Sequence, residues 1–424
     1  MRLDPKLAAR IAGDVGLWQD FNDICDCGGR LAGTQSERRA FALLRERVQA
    51  ASPANSGRSI PVTYNGWTAK KAVLRLHDGS EAACHPLVRT IATGKEGLTA
   101  EVIDLGRGTP EEFATHADEI AGRIVLVRHE LMFAAGTIHR RRKYDMARER
   151  GAVGFLIAGP LPGNVVAGSS GRDGGHGIPA LGIAPETAAR LARTAHGWPT
   201  ATLLIETVET AAETESLVYD YPGRSDDWVV LSAHVDGHDL AESAMDNGSG
   251  LAAVLSVVRA LSPEVANFRR GLRVMFFSVE EWALTGSAQY VAALGEIDRA
   301  KIALNINLDS VAGSPDIAAL TSGYASVEPF LLMVAAQNGH SLRTVRPLMI
   351  NSDHANFALS GIPAIRLVAG FDDPTANLRV VLTPADTRDK VAQSELRQAA
   401  LLTAALVAAA CNAGPSEAAA WRAH

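Results

Sequence analysis

The chain has 424 residues, with 41 Lys and Arg against 47 Asp and Glu and a formal net charge of -6. This length exceeds one ordinary domain, so two domains are expected. Hydrophobic residues make up 47% and charged residues 21%, which is typical of a globular chain and excludes a disordered one. The charge offers no basic field for nucleic acid or anionic membrane, so we predict a small-molecule substrate and neither of those partners.

Cysteine use and the apolar segments predict a cytoplasmic protein. The four cysteines are too few for a disulfide framework in a chain of this length, and Cys25 and Cys27 are separated by one residue. The first residues lack the apolar core of a secretory signal, and the apolar stretch at 399–411 is too short to span a bilayer. A homo-oligomer is expected because most soluble oligomeric enzymes are symmetric assemblies of one chain.

The residue pattern in the first half of the chain changes from helical to β-rich at about residue 60. Residues 5–50 carry apolar positions at helical spacing, interrupted by a Gly-rich turn at 27–34, and predict a helix, a loop and a helix. Residues 62–207 contain short β-rich runs separated by Gly and Pro turns, with one cationic stretch at 139–143. This β-rich pattern predicts an inserted module.

After Glu209 the pattern is one of buried strands alternating with helices, which predicts an α/β fold with a doubly wound, mostly parallel sheet. The predicted strands are 228–233, 272–279, 302–308 and 363–368, and the predicted helices are 248–261, 285–294, 327–338 and 393–410. The predicted domains are a catalytic domain in two segments, 1–58 and 212–424, and an inserted β-rich domain at 59–211.

Acidic residues and one histidine follow three of these strands. His234 and Asp236 end the first, Glu280 and Glu281 the second and Asp309 the third, while Asp246 precedes a helix. Ligands in such folds bind at the carboxyl edge of the sheet, where these side chains would meet. Singly, His-x-Asp is common and an Asp before a helix is usually an N-cap. Together they predict a site for a divalent transition metal.

These segments resemble the M28 zinc aminopeptidase-like hydrolases. The matching stretches are Arg30-Leu31-Ala32-Gly33-Thr34, His234-Val235-Asp236, Met245-Asp246-Asn247-Gly248-Ser249-Gly250, Glu280-Glu281, Asn307-Leu308-Asp309 and Ser352-Asp353-His354. The resemblance covers residues 20–50 and 215–400. The inserted module is similar to a protease-associated domain through residues 122–128, 151–158 and 177–183.

The resemblance implies a role for each site residue. His234 and Asp309 would bind one ion, Asp246 would bridge to a second, and Glu281 would bind the second. Glu280 would be the general base that takes a proton from metal-bound water, and Asp236 would orient His234 through its ring N–H.

One departure from the family pattern alters the expected metal content. Leu382 stands where the family places its last histidine ligand, so the position that uses Glu281 is expected to lack one ligand. We therefore predict one tightly needed Mn or Zn ion per chain. His354 is a possible replacement, as a metal or substrate ligand, whereas His238 and Asp239 are predicted to be solvent-exposed loop residues.

The expected function is metal-dependent hydrolysis of a C–N bond. Because the second metal position is expected to be incomplete, the sequence favours a small-molecule aminohydrolase over an aminopeptidase. Within the family the chain resembles the 5-nitroanthranilate aminohydrolase type, which replaces an aromatic amine by hydroxyl with release of ammonia. Arg366 or Arg379 would then bind the aromatic carboxylate. A cytoplasmic metal aminopeptidase and a non-catalytic binding protein stay open as alternatives.

Overall fold

The computed structural model describes residues 2–172, 174–192 and 197–423. Within them, fourteen strands join in one mixed sheet. The strands are β1 (Arg58–Leu76), β2 (Glu81–Ala82), β3 (Cys84–Pro86), β4 (Leu98–Asp104), β5 (Ile124–Arg128), β6 (Gly154–Ala158), β7 (Ala180–Ile183), β8 (Thr200–Tyr221), β9 (Trp228–His234), β10 (Gly271–Phe277), β11 (Ile302–Leu308), β12 (Ile317–Leu320), β13 (Arg343–Val345) and β14 (Ala364–Ala369).

Fourteen α-helices of the described residues surround this sheet. They are α1 (Pro5–Ala12), α2 (Gly16–Asp26), α3 (Gln35–Ala51), α4 (Pro110–Thr115), α5 (Ala117–Ile120), α6 (Arg140–Glu149), α7 (Pro185–Leu191), α8 (Gly250–Leu261), α9 (Thr285–Ala293), α10 (Glu296–Lys301), α11 (Glu328–Gln337), α12 (His354–Leu359), α13 (Gln393–Asn412) and α14 (Pro415–Ala420). Among the described residues, none of the helices has the length and apolarity needed to cross a membrane.

The centre of the sheet confirms the predicted α/β architecture. The strands follow the order β13-β12-β14-β11-β9-β10-β8-β4-β5-β6-β7-β3. The four predicted strands, β9, β10, β11 and β14, are parallel neighbours, and their residues are almost all buried. Apolar runs buried on both faces are typical of parallel strands covered by helices, which explains why the sequence pattern located them. Their shared direction brings the carboxyl ends of β9, β10 and β11 to one edge.

A long antiparallel ribbon connects the inserted module to this central sheet. Strands β1 and β8 pair from Arg58↔Val218 to Leu76↔Ala201, with one register irregularity near Ala69. β8 also pairs with β4 near its first residues and with β10 near its last residues. The predicted boundary at 211/212 falls inside β8, so one strand belongs to both parts of the chain.

The N-terminal segment contains two helices before the Gly-rich loop, where one was predicted. Asp4 caps α1 through a side-chain hydrogen bond to the backbone N–H of Lys6, and Gly13 ends it. Asp14 then accepts a hydrogen bond from the N–H of Gly16, where α2 begins. Short polar turns of this kind interrupt a helix without disturbing its apolar spacing, so the break was not visible in the pattern.

A buried polar network supports the sheet next to its carboxyl edge. The Ser232 hydroxyl donates to Asn307 Oδ1 at 2.8 Å and accepts from Asn305 Nδ2 at 2.9 Å. Asn307 Nδ2 donates to the Ser352 hydroxyl at 2.8 Å. All four side chains are fully buried. The network therefore links β9 and β11 to the loop that precedes α12.

The network predicts a stability loss for Asn307→Ala. The substitution would leave Ser232 and Ser352 each short of a buried partner, which costs roughly 1–3 kcal/mol in the free energy of unfolding. Urea unfolding of the variant should show a lower midpoint with an unchanged slope. Asn267→Ala is the matched control, since Asn267 is exposed and its side-chain contact to Glu264 is long, at 3.4 Å. Equal midpoints for the two variants would contradict a structural role of the network.

Candidate metal centre

The first group of convergent ligand atoms lies where the sequence predicted it. His234 is the last residue of β9, and Asp309 directly follows β11. Asp246 comes from the segment Ala244–Ser249, which leads into α8. His234 Nε2 lies 3.2 Å from Asp246 Oδ1 and 3.6 Å from Asp309 Oδ1, and all three residues are buried. One imidazole and two carboxylates at these separations can hold a divalent ion.

A second group shares Asp246 and contains a residue that was not predicted. His238, Asp246 and Glu281 bring one ligand atom each to within 4.8 Å of one another. His238 Nε2 lies 2.7 Å from Glu281 Oε1, and both side chains are less than 10% exposed. Because Asp246 belongs to both groups, its carboxylate is placed to bridge two ions. The second group has the same composition as the first, one imidazole and two carboxylates.

The polar atoms at both positions fit a metal ion. His234 Nε2, both ring nitrogens of His238 and Oε1 of Glu281 are buried and have no hydrogen bond of acceptable geometry among the described residues. Buried polar atoms seldom stay unpaired in proteins unless an ion or ligand takes them. Ligand atoms that crowd together without hydrogen-bonding each other have the arrangement expected around a common cation. The donor set suits Zn²⁺ or Mn²⁺ at each position.

The field at the site is strongly negative. Burial disfavours a charged His234, yet Glu280, Asp246 and Asp309 prevail and raise the pKa of the imidazole well above its usual value. Burial, followed by the charges of Glu281 and Asp309, raises the pKa of Asp246. Both pKa shifts reflect the same cause, which is the crowding of carboxylates at the site. A positive charge is required there to balance them.

His234 is oriented by a main-chain group and not by the Asp236 carboxylate, which corrects the prediction. Its Nδ1 lies 2.8 Å from the backbone carbonyl of Asp236 and 3.9 Å from the carboxylate. The Nδ1–H therefore donates to the carbonyl, which leaves Nε2 free to ligate. The two oxygens of Asp236 instead accept the backbone N–H groups of Glu280 and Glu281, each at 3.1 Å. Asp236 thus positions the acidic pair that follows β10.

Arg366 has a different role from the predicted one. Its guanidinium lies 3.1 Å from Asp309 Oδ2, donates to the backbone carbonyl of Asn351 at 2.9 Å and stacks on Phe133 at 4.8 Å. Burial opposes ionisation of Asp309, but Arg366 and then His234 hold the pKa of this carboxyl well below its usual range. Arg366 therefore fixes a ligand in its charged form, and its guanidinium is already engaged by the protein.

A buried arginine holds the loop that carries His238. Arg30 Nε donates to the carbonyl of Val235 at 2.9 Å, and its terminal nitrogens donate to the carbonyls of Glu242 and Ser243 at 2.8 and 2.7 Å. Gly29 passes so close that a Cβ there would lie 1.6 Å from the His238 carbonyl oxygen. Arg30 is the first residue of the five-residue stretch that resembles the family. These contacts show that Arg30 holds the loop of His238 in place.

The prediction that His238 is solvent-exposed is wrong, because this residue is buried and only 3% exposed. Asp239 is exposed, as predicted, and pairs with His85 at 3.0 Å. The signal for His238 was present in the spacing His234-x-Asp236-x-His238, in which a short loop returns to the same edge. Leu382 lies in the wall of the site, buried and with a left-handed φ of 67°. His238 thus supplies the imidazole that Leu382 cannot.

His354 and Arg379 lie outside both ligand groups. His354 begins α12, is fully buried, and has a pKa lowered to about 3 by burial and then by Arg366. Its neutral ring belongs to neither group of convergent atoms found among the described residues. Arg379 is exposed and borders a separate cavity of about 350 Å³, so the structure does not bring it to the metal ligands.

Glu280 lies beside the ligand groups, where the sequence predicted a general base. It is 8% exposed, follows β10 and lines the same cavity as Asp246 and Asp309. Burial raises the pKa of Glu280 well above its usual value, against the opposing effect of His234. A carboxylate with a raised pKa beside a metal position can accept a proton from water near neutral pH and release it again.

The cavity above the ligands is small and receives residues from the inserted module. Its volume is about 60 Å³, and Arg140 and Ser169 of the module line it opposite Glu281 and Leu382. A larger cavity of about 810 Å³ lies beside α3 and the β1–β8 ribbon. That cavity contains none of the convergent ligand residues, so we place the chemistry in the smaller one.

Comparison with known proteins assigns both parts of the chain. Residues 216–407 match peptidase family M28, and residues 85–191 match the PA domain. The chain therefore contains a region of peptidase family M28, with a PA-domain region ahead of it.

Several relatives are named as aminopeptidases. Aminopeptidase YwaD of Bacillus subtilis is 25% identical over 395 residues, which is 90% of this chain and 81% of the relative. Probable lipoprotein aminopeptidase LpqL of Mycobacterium tuberculosis is 27% identical over 71% of this chain and 62% of the relative. Leucine aminopeptidase 2 of Trichophyton equinum is 28% identical over 48% of this chain and 39% of the relative. The chain thus spans less than two thirds of the length of the last two.

Solved structures show the same fold over nearly the whole chain. A peptidase M28 precursor from Shewanella amazonensis has a TM-score of 0.79 at 19% identity and covers 96% of this chain and 95% of its own. A zinc aminopeptidase from Bacillus subtilis has a TM-score of 0.72 at 22% identity, covering 92% and 93%. The sheet and the inserted module are therefore arranged in this chain as in those proteins.

The two ligand groups predict how metal content responds to substitution at His238. His238→Ala should reduce bound zinc from about two ions per chain to about one, because two carboxylates alone make a weak zinc site. Leu382→His should leave the wild-type content unchanged. Metal analysis after equilibrium dialysis against zinc measures both.

His77→Ala is the matched control, since His77 is exposed. Retention of full zinc content by His238→Ala would contradict the second group, as would a gain of one ion in Leu382→His.

Proposed function

We propose that the protein is a metal-dependent hydrolase of C–N bonds, and that it acts as an aminopeptidase on small amine-bearing substrates. The observation that carries the proposal is the pair of ligand groups that share Asp246, with Glu280 beside them. The names of the relatives support the same activity class. With His238 the second position has three ligand residues, so it does not disfavour a peptide substrate.

The residues divide into two metal positions and one base. His234, Asp246 and Asp309 would hold one divalent ion, and His238, Asp246 and Glu281 the other. Bound ions would polarise the scissile carbonyl and lower the pKa of water. We expect two ions per chain in place of the single ion predicted from the sequence. The similarity to a zinc aminopeptidase from Bacillus subtilis supports zinc, and manganese is kept as an alternative.

The protein's own groups account for the proton transfers. Glu280 takes a proton from the attacking water and returns it to the leaving nitrogen, so the C–N bond breaks with a neutral amine as product. Asp236 fixes the main chain of Glu280, and the Asp236 carbonyl fixes the tautomer of His234. Arg366 keeps Asp309 ionised as a ligand.

A small-molecule aminohydrolase is the second candidate, because the cavity is only about 60 Å³ in volume and admits little beyond a compact substrate. Release of ammonia from 5-nitroanthranilate and release of 4-nitroaniline from amino-acid anilides, each with added Zn²⁺ or Mn²⁺, separate it from an aminopeptidase. Hydrolysis of neither substrate class by the metal-loaded protein would favour a non-catalytic binding protein.

Glu280→Gln tests the proposed base. The substitution keeps the shape of the side chain but removes its proton affinity, so kcat should fall by roughly 10²- to 10⁴-fold. Zinc content should stay at the wild-type value because Glu280 is in neither ligand group. Initial rates on whichever substrate class the wild type hydrolyses measure the effect.

The control for this variant is Glu149→Gln, since Glu149 is exposed at the end of α6. A Glu280→Gln protein with wild-type kcat would remove Glu280 from the mechanism.

We propose a cytoplasmic location and assembly into a homo-oligomer. Cys25, Cys27, Cys84 and Cys411 are all free thiols, which suits the reducing environment of the cytoplasm. Cell fractionation with an antibody to the chain tests this. A homo-oligomer is proposed from the frequency of symmetric assemblies among enzymes, and light scattering on the purified protein measures it.

A further inference from the structure

Arg140 is a buried cation in the wall of the metal cavity. It begins α6 of the PA domain, is 5% exposed, and lines the cavity together with Asp246 and Glu281. Its Nε donates to the carbonyl of Ser169 at 2.6 Å. One terminal nitrogen lies 3.4 Å from His129 Nε2, so contacts with Ser169 and His129 fix the position of the guanidinium.

No carboxylate of the described residues forms a salt bridge with Arg140, although buried arginines are normally paired. The nearby arginines Arg172 and Arg366 each have such a partner, in Glu209 and Asp309. Burial lowers the pKa of Arg140 to about 10, with Glu281 acting in the opposite direction. The group is still cationic at neutral pH, and its guanidinium has no direct carboxylate partner among the described residues.

A glycine packs against the Arg140 guanidinium, where a larger residue would clash. Gly168 has a φ of 105°, and a Cβ at that position would lie 2.3 Å from the Arg140 side chain. Burying this charge costs free energy unless an anion pairs with it. The fold nevertheless holds the guanidinium in place, so we expect an anion to bind there.

The position of Arg140 restricts what it can bind. Its charge acts on both His238 and Glu281, so it lies on the side of the second ligand group. A guanidinium there repels an ammonium group and attracts an anion. A planar fork of N–H donors matches a carboxylate in particular.

We propose that Arg140 binds a carboxylate of the substrate, so that this hydrolase prefers amine-bearing compounds that also carry a carboxylate close to the scissile C–N bond. The proposal rests on the proposed function for the reaction and adds the substrate class. The specificity residue then comes from the PA domain, and the metal ligands come from the central sheet.

Matched substrate pairs test the proposal and identify the source of the carboxylate. The pairs are Ala-Gly and its amide for a terminal carboxylate, the 4-nitroanilides of Asp and Asn for a side-chain carboxylate, and 5-nitroanthranilate and 4-nitroaniline for a ring carboxylate. For at least one pair, kcat/KM of the wild type should favour the carboxylate by on the order of 10- to 100-fold. Arg140→Gln should bring that ratio to about 1, as expected when the guanidinium that pairs with the carboxylate is lost.

Arg142→Gln is the matched control, since it removes the same charge from an exposed position of the same helix. Arg142→Gln should keep the wild-type ratio. Arg140→Lys retains the charge without the fork and should keep only part of the preference. A preference that survives in Arg140→Gln, or a wild type that shows no preference in any pair, would overturn the proposal.

Calorimetric binding of benzoate and benzamide to the zinc-loaded protein separates this inference from the proposed function. Benzoate should bind at least tenfold more tightly than benzamide to the wild type, and equally weakly to Arg140→Gln, because one charge-assisted pair is lost. Arg140-dependent benzoate binding without hydrolysis of any substrate would contradict the proposed function alone. Hydrolysis without preferential benzoate binding would contradict the role of Arg140 alone. Where Arg140→Gln fails to fold, Arg140→Lys decides the matter, since it should keep only part of the preference for benzoate.

Discussion

Carboxylates buried together at one edge of the sheet are the constraint on which the rest of this structure depends. Asp246, Glu280 and Asp309 are each less than 10% exposed and lie within one small cavity. Such charges repel one another and lose their hydration, so the fold survives only if positive charge compensates them. Arg366 compensates Asp309, and His234 lies between Asp246 and Asp309. Two divalent ions would supply the remainder.

The architecture brings this charge together from distant parts of the chain. Parallel strands end at the same edge, so His234, Glu280 and Asp309 become neighbours although more than seventy residues separate the first from the last. Main-chain contacts then fix each group. The Asp236 carboxylate holds the turn after β10, and Arg30 holds the loop after β9. The chemistry of the site therefore depends on loops that are anchored by buried hydrogen bonds.

His238 changes how this chain differs from its family. Leu382 stands where the family pattern places its last histidine, but the imidazole of His238, on the loop after β9, joins Asp246 and Glu281. The ligand count of the second position is preserved while the chain position of the ligand moves. Leu382 contributes an apolar side chain to the lining of the cavity, and Arg140 of the PA domain contributes a cation. These changes alter the substrate pocket without removing the metal site.

Sequence patterns predicted the parts of the structure that depend on local order. The strands at 228–233 and 302–308 were found because buried parallel strands form continuous apolar runs, and the first metal group was found because its ligands follow those strands. His238 was missed because its spacing from His234 and Asp236 places it on the same loop but does not report that its side chain is buried. The orienting role of the Asp236 carbonyl and the position of Arg140 depend on tertiary contacts, and no periodicity in the sequence reports such contacts.

A crystal structure of the zinc-loaded protein, with anomalous scattering recorded at the zinc absorption edge, tests the central claim most directly. Two anomalous peaks that share Asp246 as a bridging ligand, with His234 and Asp309 on one ion and His238 and Glu281 on the other, are the predicted result. A single peak at His234, Asp246 and Asp309, with no ion bound by His238 at saturating zinc, would contradict it.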